Sequence, residues 1–209
     1  MRRKIGTISM IVGAALIVAA LSLFIWNQKE NQKAQNSVKA VFSQMTEIIR
    51  GKEAQAEETV DNEGKVKKDP AVSDSKDSEM TVSMIDGYGY IGCLSIPSQG
   101  LELPVMSDWS YPRLRIAPCR YCGSTKTGDL VIAAHNYASH FGPIKNLIPG
   151  DKVYFTDMDG AVGEYEVAEV DTLNPTAIEE MTDSGYELTL FTCTYGGQSR
   201  VTVRCSLAK

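Results

Sequence analysis

The strongest constraint on this chain lies at its start: residues 5–26, from Ile5 to Trp26, contain no charged side chain. At about 1.5 Å of rise per residue, a helix over this stretch reaches roughly 33 Å, enough to cross the ~30 Å hydrocarbon core of a bilayer. Ala19 and Ala20 before Leu21 and Ser22 resemble a signal-peptide cleavage site. The apolar run continues past them to Trp26, however, beyond the ~7–15 residues of a usual signal h-region, so a membrane-spanning helix is the better reading. Arg2, Arg3 and Lys4 precede it. The bias of positive charge toward the cytoplasm then places residues 1–4 inside the cell and everything after Trp26 outside.

After the apolar run, Val38, Val41, Phe42, Met45, Ile48 and Ile49 recur at helical spacing, with Asn36 or Ser37 to cap the start and Gly51 to end it. This reads as a short amphipathic helix whose apolar face could pack on the domain, on another copy or on the membrane surface, and it is taken as a stalk helix of no catalytic importance. Residues 52–79 are dominated by Lys, Glu, Asp, Gln and Ser, with almost nothing aliphatic to offset their ordering entropy, and are expected to form a flexible stalk. The expected organisation is a tip at 1–4, an anchor at 5–26, a helix and stalk at 27–79 and one folded domain at 80–209. A formal charge of −5 argues against a nucleic-acid surface, which needs clustered Lys and Arg. Five cysteines are an odd number, which in an oxidising compartment leaves a thiol that pairs with another chain or is itself reactive.

From residue 80 the pattern changes to short apolar runs at 90–96, 130–134, 152–155, 164–170, 187–192 and 200–204. Turn residues separate them, among them Pro97 to Gly100, Pro149-Gly150-Asp151, Asp157 to Gly160 and Gly196-Gly197. Only two short helical stretches are expected, around 141–147 and 176–181. Strands at this spacing imply a mainly β domain, a sandwich or barrel rather than a parallel sheet with crossover helices.

Three side chains stand out chemically. Cys193 ends one strand run before a Gly-containing turn, where a side chain reaches solvent; alone it is also compatible with a small buried hydrophobe. His135 ends the run 130–134, so an imidazole and a thiol both sit at strand ends, the pair that cysteine acyl transfer requires. The second histidine, His140, lies in a polar loop and reads as a surface residue. Arg200 opens the last strand after the turn that follows Cys193, and a hairpin returns its guanidinium toward the thiol, where it can lower the thiol pKa and hold an oxyanion. Arg204 shares its face by the period of two and is a rival for that role.

Thr189-Leu190-Phe191-Thr192-Cys193 resembles the sortase signature Thr-Leu-x-Thr-Cys, which family members follow with a strand bearing an arginine. Ala133-Ala134-His135-Asn136, then Phe141, Leu147 and Pro149-Gly150-Asp151, is similar to the sortase histidine segment and the strand after it. Ile91 to Pro97 and Leu103-Pro104-Val105 resemble the first two strands of that fold, so the likeness runs in order from about 88 to 204. It implies an eight-stranded sortase-type β-barrel with short helices, preceded by an N-terminal transmembrane helix, with 80–209 as the catalytic domain. Cys193, His135 and Arg200 would be its catalytic residues, and Thr192 and Asn136 contacts to substrate or oxyanion. The implied activity is that of a cysteine transpeptidase, which cleaves an LPxTG-like sorting signal of secreted surface proteins through a thioester. It then passes the acyl group to an amine of a peptidoglycan precursor or a pilin. No cofactor or metal is implied.

Cys119-Arg120-Tyr121-Cys122 lies outside that pattern and reads as without function, as a disulfide, or as half of a zinc site lacking its other ligands. Cys93 and Cys205 are expected to be buried strand residues. Other cysteine acyl transferases fit less well, because a papain-like enzyme carries its Cys on a helix well before its His, and an L,D-transpeptidase a Ser-x-Gly-Cys type segment. The alternatives kept open are a catalytically inactive, membrane-anchored binding module and a pilin-polymerising sortase. The short connection between Asn174 and Tyr186 speaks against the long inserted helix of the haem-acquisition type and favours general surface-protein anchoring.

Overall fold

The computed structural model describes residues 2–60 and 79–208. Helix α1, Arg2–Val60, is one continuous element. The apolar run and the stalk helix are therefore not separate, and residues 52–60, expected to be flexible, continue the helix; the remainder of the expected stalk, 61–78, lies outside the described residues. The first half of α1 is long and apolar enough to cross a membrane, with a mean hydropathy of 2.2 over its most apolar window. Within that half, Leu16, Leu21, Phe24 and Trp26 are all exposed.

Nine β-strands follow among the described residues: β1 Ser83–Ile85, β2 Tyr88–Ile96, β3 Leu101–Met106, β4 Cys119–Cys122, β5 Leu130–Ala134, β6 Lys152–Asp157, β7 Val162–Leu173, β8 Leu188–Cys193 and β9 Arg200–Leu207. Two short helices, α2 (Tyr111–Leu114) and α3 (Ile178–Thr182), and three 3-10 turns at Pro97–Gln99, Gly142–Asn146 and Tyr195–Gly197 complete the described part of the domain. Neighbouring strands run β2-β3-β4-β5-β8-β9-β7-β6, and β6 pairs back with β2, so eight strands close into a barrel with β1 as a hairpin extension of β2. Closure relies on Gly92, with φ 155°, because a Cβ there would sit 2.2 Å from the Thr156 carbonyl oxygen of β6. The β1–β2 hairpin turns on Asp86-Gly87, both at positive φ, the two-residue loop that matches strand twist.

Alternation along the strands sorts the side chains. On β8, Leu188, Leu190 and Thr192 are buried inward, and Leu188 and Leu190 join Leu130 and Ile132 of β5 and Val203 and Cys205 of β9 in the barrel core. Thr189, Phe191 and Cys193 therefore point to the outer face. Phe141, Ile144 and Leu147 of the segment after His135 are buried in the same core and anchor that segment to the barrel. A second cluster forms on the outside, where Val41 and Met45 of α1 pack with Ile85, Tyr90, Met106 and Cys119. The α1 helix is thus docked on the barrel, one of the placements its apolar face left open.

All six apolar runs form strands. β4 was hidden because its sequence, Cys-Arg-Tyr-Cys, offers only four residues and a bulge between Arg120 and Cys122 in place of clean alternation.

Candidate active site

β5 and β8 lie side by side and parallel, with Ala134 paired to Thr192. The next residue on each strand is His135 and Cys193, so the imidazole and the thiol leave the barrel at the same rim. β8 then turns back into β9, and the register of that hairpin places Arg200 directly across from Cys193. Directly opposed residues have Cα atoms about 4.5–5.5 Å apart, well within the reach of a guanidinium.

The turn between them is tied internally. Thr194 N–H donates to the Ser199 carbonyl at 3.0 Å, Ser199 N–H donates to the Thr194 hydroxyl at 3.1 Å, and Gly197 N–H donates to the Thr194 carbonyl at 2.9 Å. Gly196 and Gly197 have φ of 81° and 72°, a conformation that glycine adopts without steric cost. The Arg200 guanidinium donates to the carbonyls of Gly197 at 3.2 Å and Ser199 at 3.1 Å, which holds it over its own turn on the Cys193 side.

Arg204 is built differently. Its side chain is 10 % exposed and bonds Asp171 at 2.7 Å, Glu169 at 3.0 Å and the Glu180 carbonyl at 3.1 Å. It joins β9 to β7 and to α3 with its charge already matched. Of the two arginines left open by periodicity, the one paired across from Cys193 is Arg200.

Thr192 is 3 % exposed and its hydroxyl donates to the Ala134 carbonyl at 2.8 Å. The side chain expected to touch substrate is instead turned inward, where it ties together the two strand ends that carry Cys193 and His135. Asn136 is half-buried directly after His135.

His135 is half-buried, and its ring lies 4.9 Å from that of Tyr137, which in turn lies 5.5 Å from that of His140. The loop folds back tightly: Phe141 N–H donates to the His135 carbonyl at 3.0 Å, and His140 and Gly142 N–H both donate to the Tyr137 carbonyl. Gly142 is required there, since a Cβ would come within 2.7 Å of the Tyr137 carbonyl oxygen. Burial, and then the positive charge of Arg115, hold His135 below its ordinary pKa, so at neutral pH it is a neutral imidazole able to accept a proton. His140 is fully buried, not the surface histidine expected, and burial followed by the charge of His135 pushes its pKa down to about 4.

All five cysteines are free. The C-x-x-C pair therefore forms no disulfide, and no third or fourth metal-binding side chain gathers with it among the described residues. Burial pushes the Cys93, Cys119 and Cys205 thiols up to about 12, so these three are protonated and unreactive at neutral pH. Burial also raises Cys122. Cys193 is half-buried at the end of β8, across from Arg200.

A family model described as the sortase domain matches residues 94–208, more than half of the chain. The chain is 33 % identical to sortase A of Bacillus anthracis over 122 residues, covering 56 % of this chain and 58 % of that protein. It is 29 % identical to sortase A of Listeria monocytogenes over 119 residues, covering 52 % and 51 %. The chain thus matches somewhat over half the length of these curated relatives. Among solved structures, sortase C1 from Streptococcus suis superposes with a TM-score of 0.51 at 26 % identity, covering 57 % of this chain and 73 % of that one. Sortase C from Streptococcus pneumoniae, whose structure was described in terms of pilin substrate specificity, superposes with a TM-score of 0.50 at 25 % identity, covering 57 % and 69 %. With the closed barrel and the domain match agreeing over β2 to β9, this chain belongs to the sortase family.

Proposed function

We propose that this protein is a membrane-anchored cysteine transpeptidase that cleaves an LPxTG-like sorting signal and transfers the acyl fragment to an amine of a cell-wall precursor. The observation that carries the reading is the register of three strand ends, with Cys193 across from Arg200 and one residue past the Ala134–Thr192 pair that also leads to His135. His135, neutral at pH 7, accepts the thiol proton as the Cys193 sulfur attacks the scissile carbonyl. The Arg200 guanidinium exchanges a turn carbonyl for the developing oxyanion, a bond worth more in the transition state than in the ground state. The imidazolium then protonates the leaving amine, and a thioester remains on Cys193. In the second half-reaction the acceptor amine gives up a proton to His135 as it attacks the thioester, the amide forms as the C–S bond breaks, and the imidazolium passes that proton to the departing Cys193 sulfur, restoring the thiol and the neutral imidazole.

The anchor is the apolar half of α1, with residues 1–4 in the cytoplasm and the barrel outside. The likeness to the Streptococcus sortase C structures favours a second reading of the acceptor alone, in which the amine belongs to a pilin subunit. The test is incubation of the full chain with an LPxTG peptide, followed by intact-mass detection of the acyl-enzyme and its discharge to either a peptidoglycan-stem amine or a pilin lysine. A catalytically inactive binding module would give no mass increase, and neither would Cys193→Ala.

A further inference from the structure

The α1 stripe that docks on the barrel comprises Ala34, Val38, Val41 and Met45, each at most 6 % exposed, and its i, i+3, i+7 spacing extends back to one polar residue, Asn31. At that point α1 meets the loop carrying His135. The Asn31 side-chain oxygen accepts from the Ser139 hydroxyl at 2.9 Å and from the Ser139 backbone N–H at 3.2 Å, across 108 residues of sequence. Ser139 also lies 3.4 Å from the Asn31 carbonyl. It lies in sequence between Tyr137, whose ring is tilted against that of His135 at 4.9 Å, and His140, whose ring lies 5.5 Å from that of Tyr137. A helix docked by an apolar stripe thus places a half-buried amide on the segment whose Tyr137 ring packs against the imidazole.

We propose that Asn31 is a positioning residue for His135, acting through Ser139 so that α1 is part of the active-site framework. The inference rests on His135 being the acid/base of the reaction above. The side-chain oxygen of Asn31 fixes both polar groups of Ser139, Ser139 fixes the segment 137–140, and the Tyr137 ring fixes the plane of the imidazole. The apolar stripe keeps α1 docked when this one amide is removed, so the local link can be tested without releasing the helix.

The experiment uses the full chain in lipid nanodiscs, as wild type, Asn31→Ala, Asn31→Asp and Ser139→Ala. The chain contains only two histidines, so their ring C–H signals are resolved by NMR with ¹³C-labelled histidine. At pH 8 both imidazoles are neutral, and the His135 signal reports the ring current of Tyr137 rather than protonation. In Asn31→Ala the His135 signal is expected to move and broaden. The kcat on a sorting peptide should fall about tenfold, the scale of a slightly misplaced catalytic group, with KM unchanged. Alkylation of Cys193 by a small neutral reagent, which needs no imidazole geometry, should keep its rate. Asn31→Asp keeps the accepting oxygen and should restore both signal and kcat, and Ser139→Ala, which retains one of the two bonds, should fall between. An unmoved His135 signal with wild-type kcat in Asn31→Ala overturns the proposal, as does a loss that Asn31→Asp fails to restore and that alkylation shares. If His135→Ala itself keeps full turnover, the acid/base reading has failed, and the ring-current signal still decides whether Asn31 orients the imidazole.

Discussion

Replacing each of the two outward-facing arginines of β9 should break different things. Arg200 lies across from Cys193, whereas Arg204 is four residues further on, about 13 Å along the strand at ~3.4 Å per residue, too far to share one oxyanion with it. Arg200→Ala removes a donor whose partners among the described residues are two carbonyls of its own turn, so folding should be nearly unaffected. The loss falls on the transition state: kcat/KM should drop by at least about 10²-fold, or about 2.7 kcal/mol, the usual scale for one oxyanion donor. Arg200→Lys should recover little, because a point charge lacks the planar fork of donors. Arg204→Ala deletes two charge-assisted bonds and one to a backbone carbonyl. Each charged bond is worth roughly 1.5–3 kcal/mol, but Glu169 and Asp171 are about two-fifths exposed and regain water. A net loss of about 2–4 kcal/mol, or roughly 10 °C in Tm, is expected with modest effect on turnover of the folded fraction. Steady-state kinetics on one fluorogenic sorting peptide, with thermal unfolding of all three variants, checks both. Near-wild-type rate in Arg200→Ala beside a folded but inactive Arg204→Ala would refute the assignment.

Cys193→Ala should abolish thioester formation, while Cys93→Ala and Cys205→Ala keep it; mass-resolved alkylation of the native protein at pH 7 should modify Cys193 and spare Cys93, Cys119 and Cys205, whose thiols are held near 12. His140, with a pKa near 4 when folded and about 6.5 when unfolded, contributes stability that is fully present above pH 6.5 and is lost as pH falls toward 4. The loss amounts to about 3 kcal/mol, so the wild-type Tm should drop more steeply over this window than that of His140→Gln, and parallel curves would remove His140 as the cause. A truncated protein beginning at Met80 loses the packing of Val38, Val41 and Met45, each worth about 1.5–3 kcal/mol as an upper estimate, and should melt at least about 10 °C below the full chain by calorimetry.

The difference between what could and could not be read in advance follows the range of the interactions. Strand ends carrying His135 and Cys193 are visible because alternation and turn residues are local, and the barrel followed once those runs resembled a known signature. Which arginine serves the thiol was not local: Arg200 and Arg204 share a face, and only the carboxylates of Glu169 and Asp171, on a different strand, take Arg204 out of contention. His140 sits in a polar stretch and looked exposed, yet its neighbour Phe141 is drawn fully into the core and takes the imidazole with it. The α1 helix makes the same point most strongly. Periodicity at 38–49 announces an apolar face without saying what covers it, and a lone charged tract after Gly51 suggested a flexible tether. The covering surface is built from β1 to β4, and Asn31, which carries no apolar signal at all, finds Ser139 only once the barrel has closed. Because docking begins five residues after Trp26, about 7.5 Å of helix rise, the barrel is fixed to α1 close to the end of the apolar run, and the Asn31–Ser139 contact holds the His135 loop at that same point.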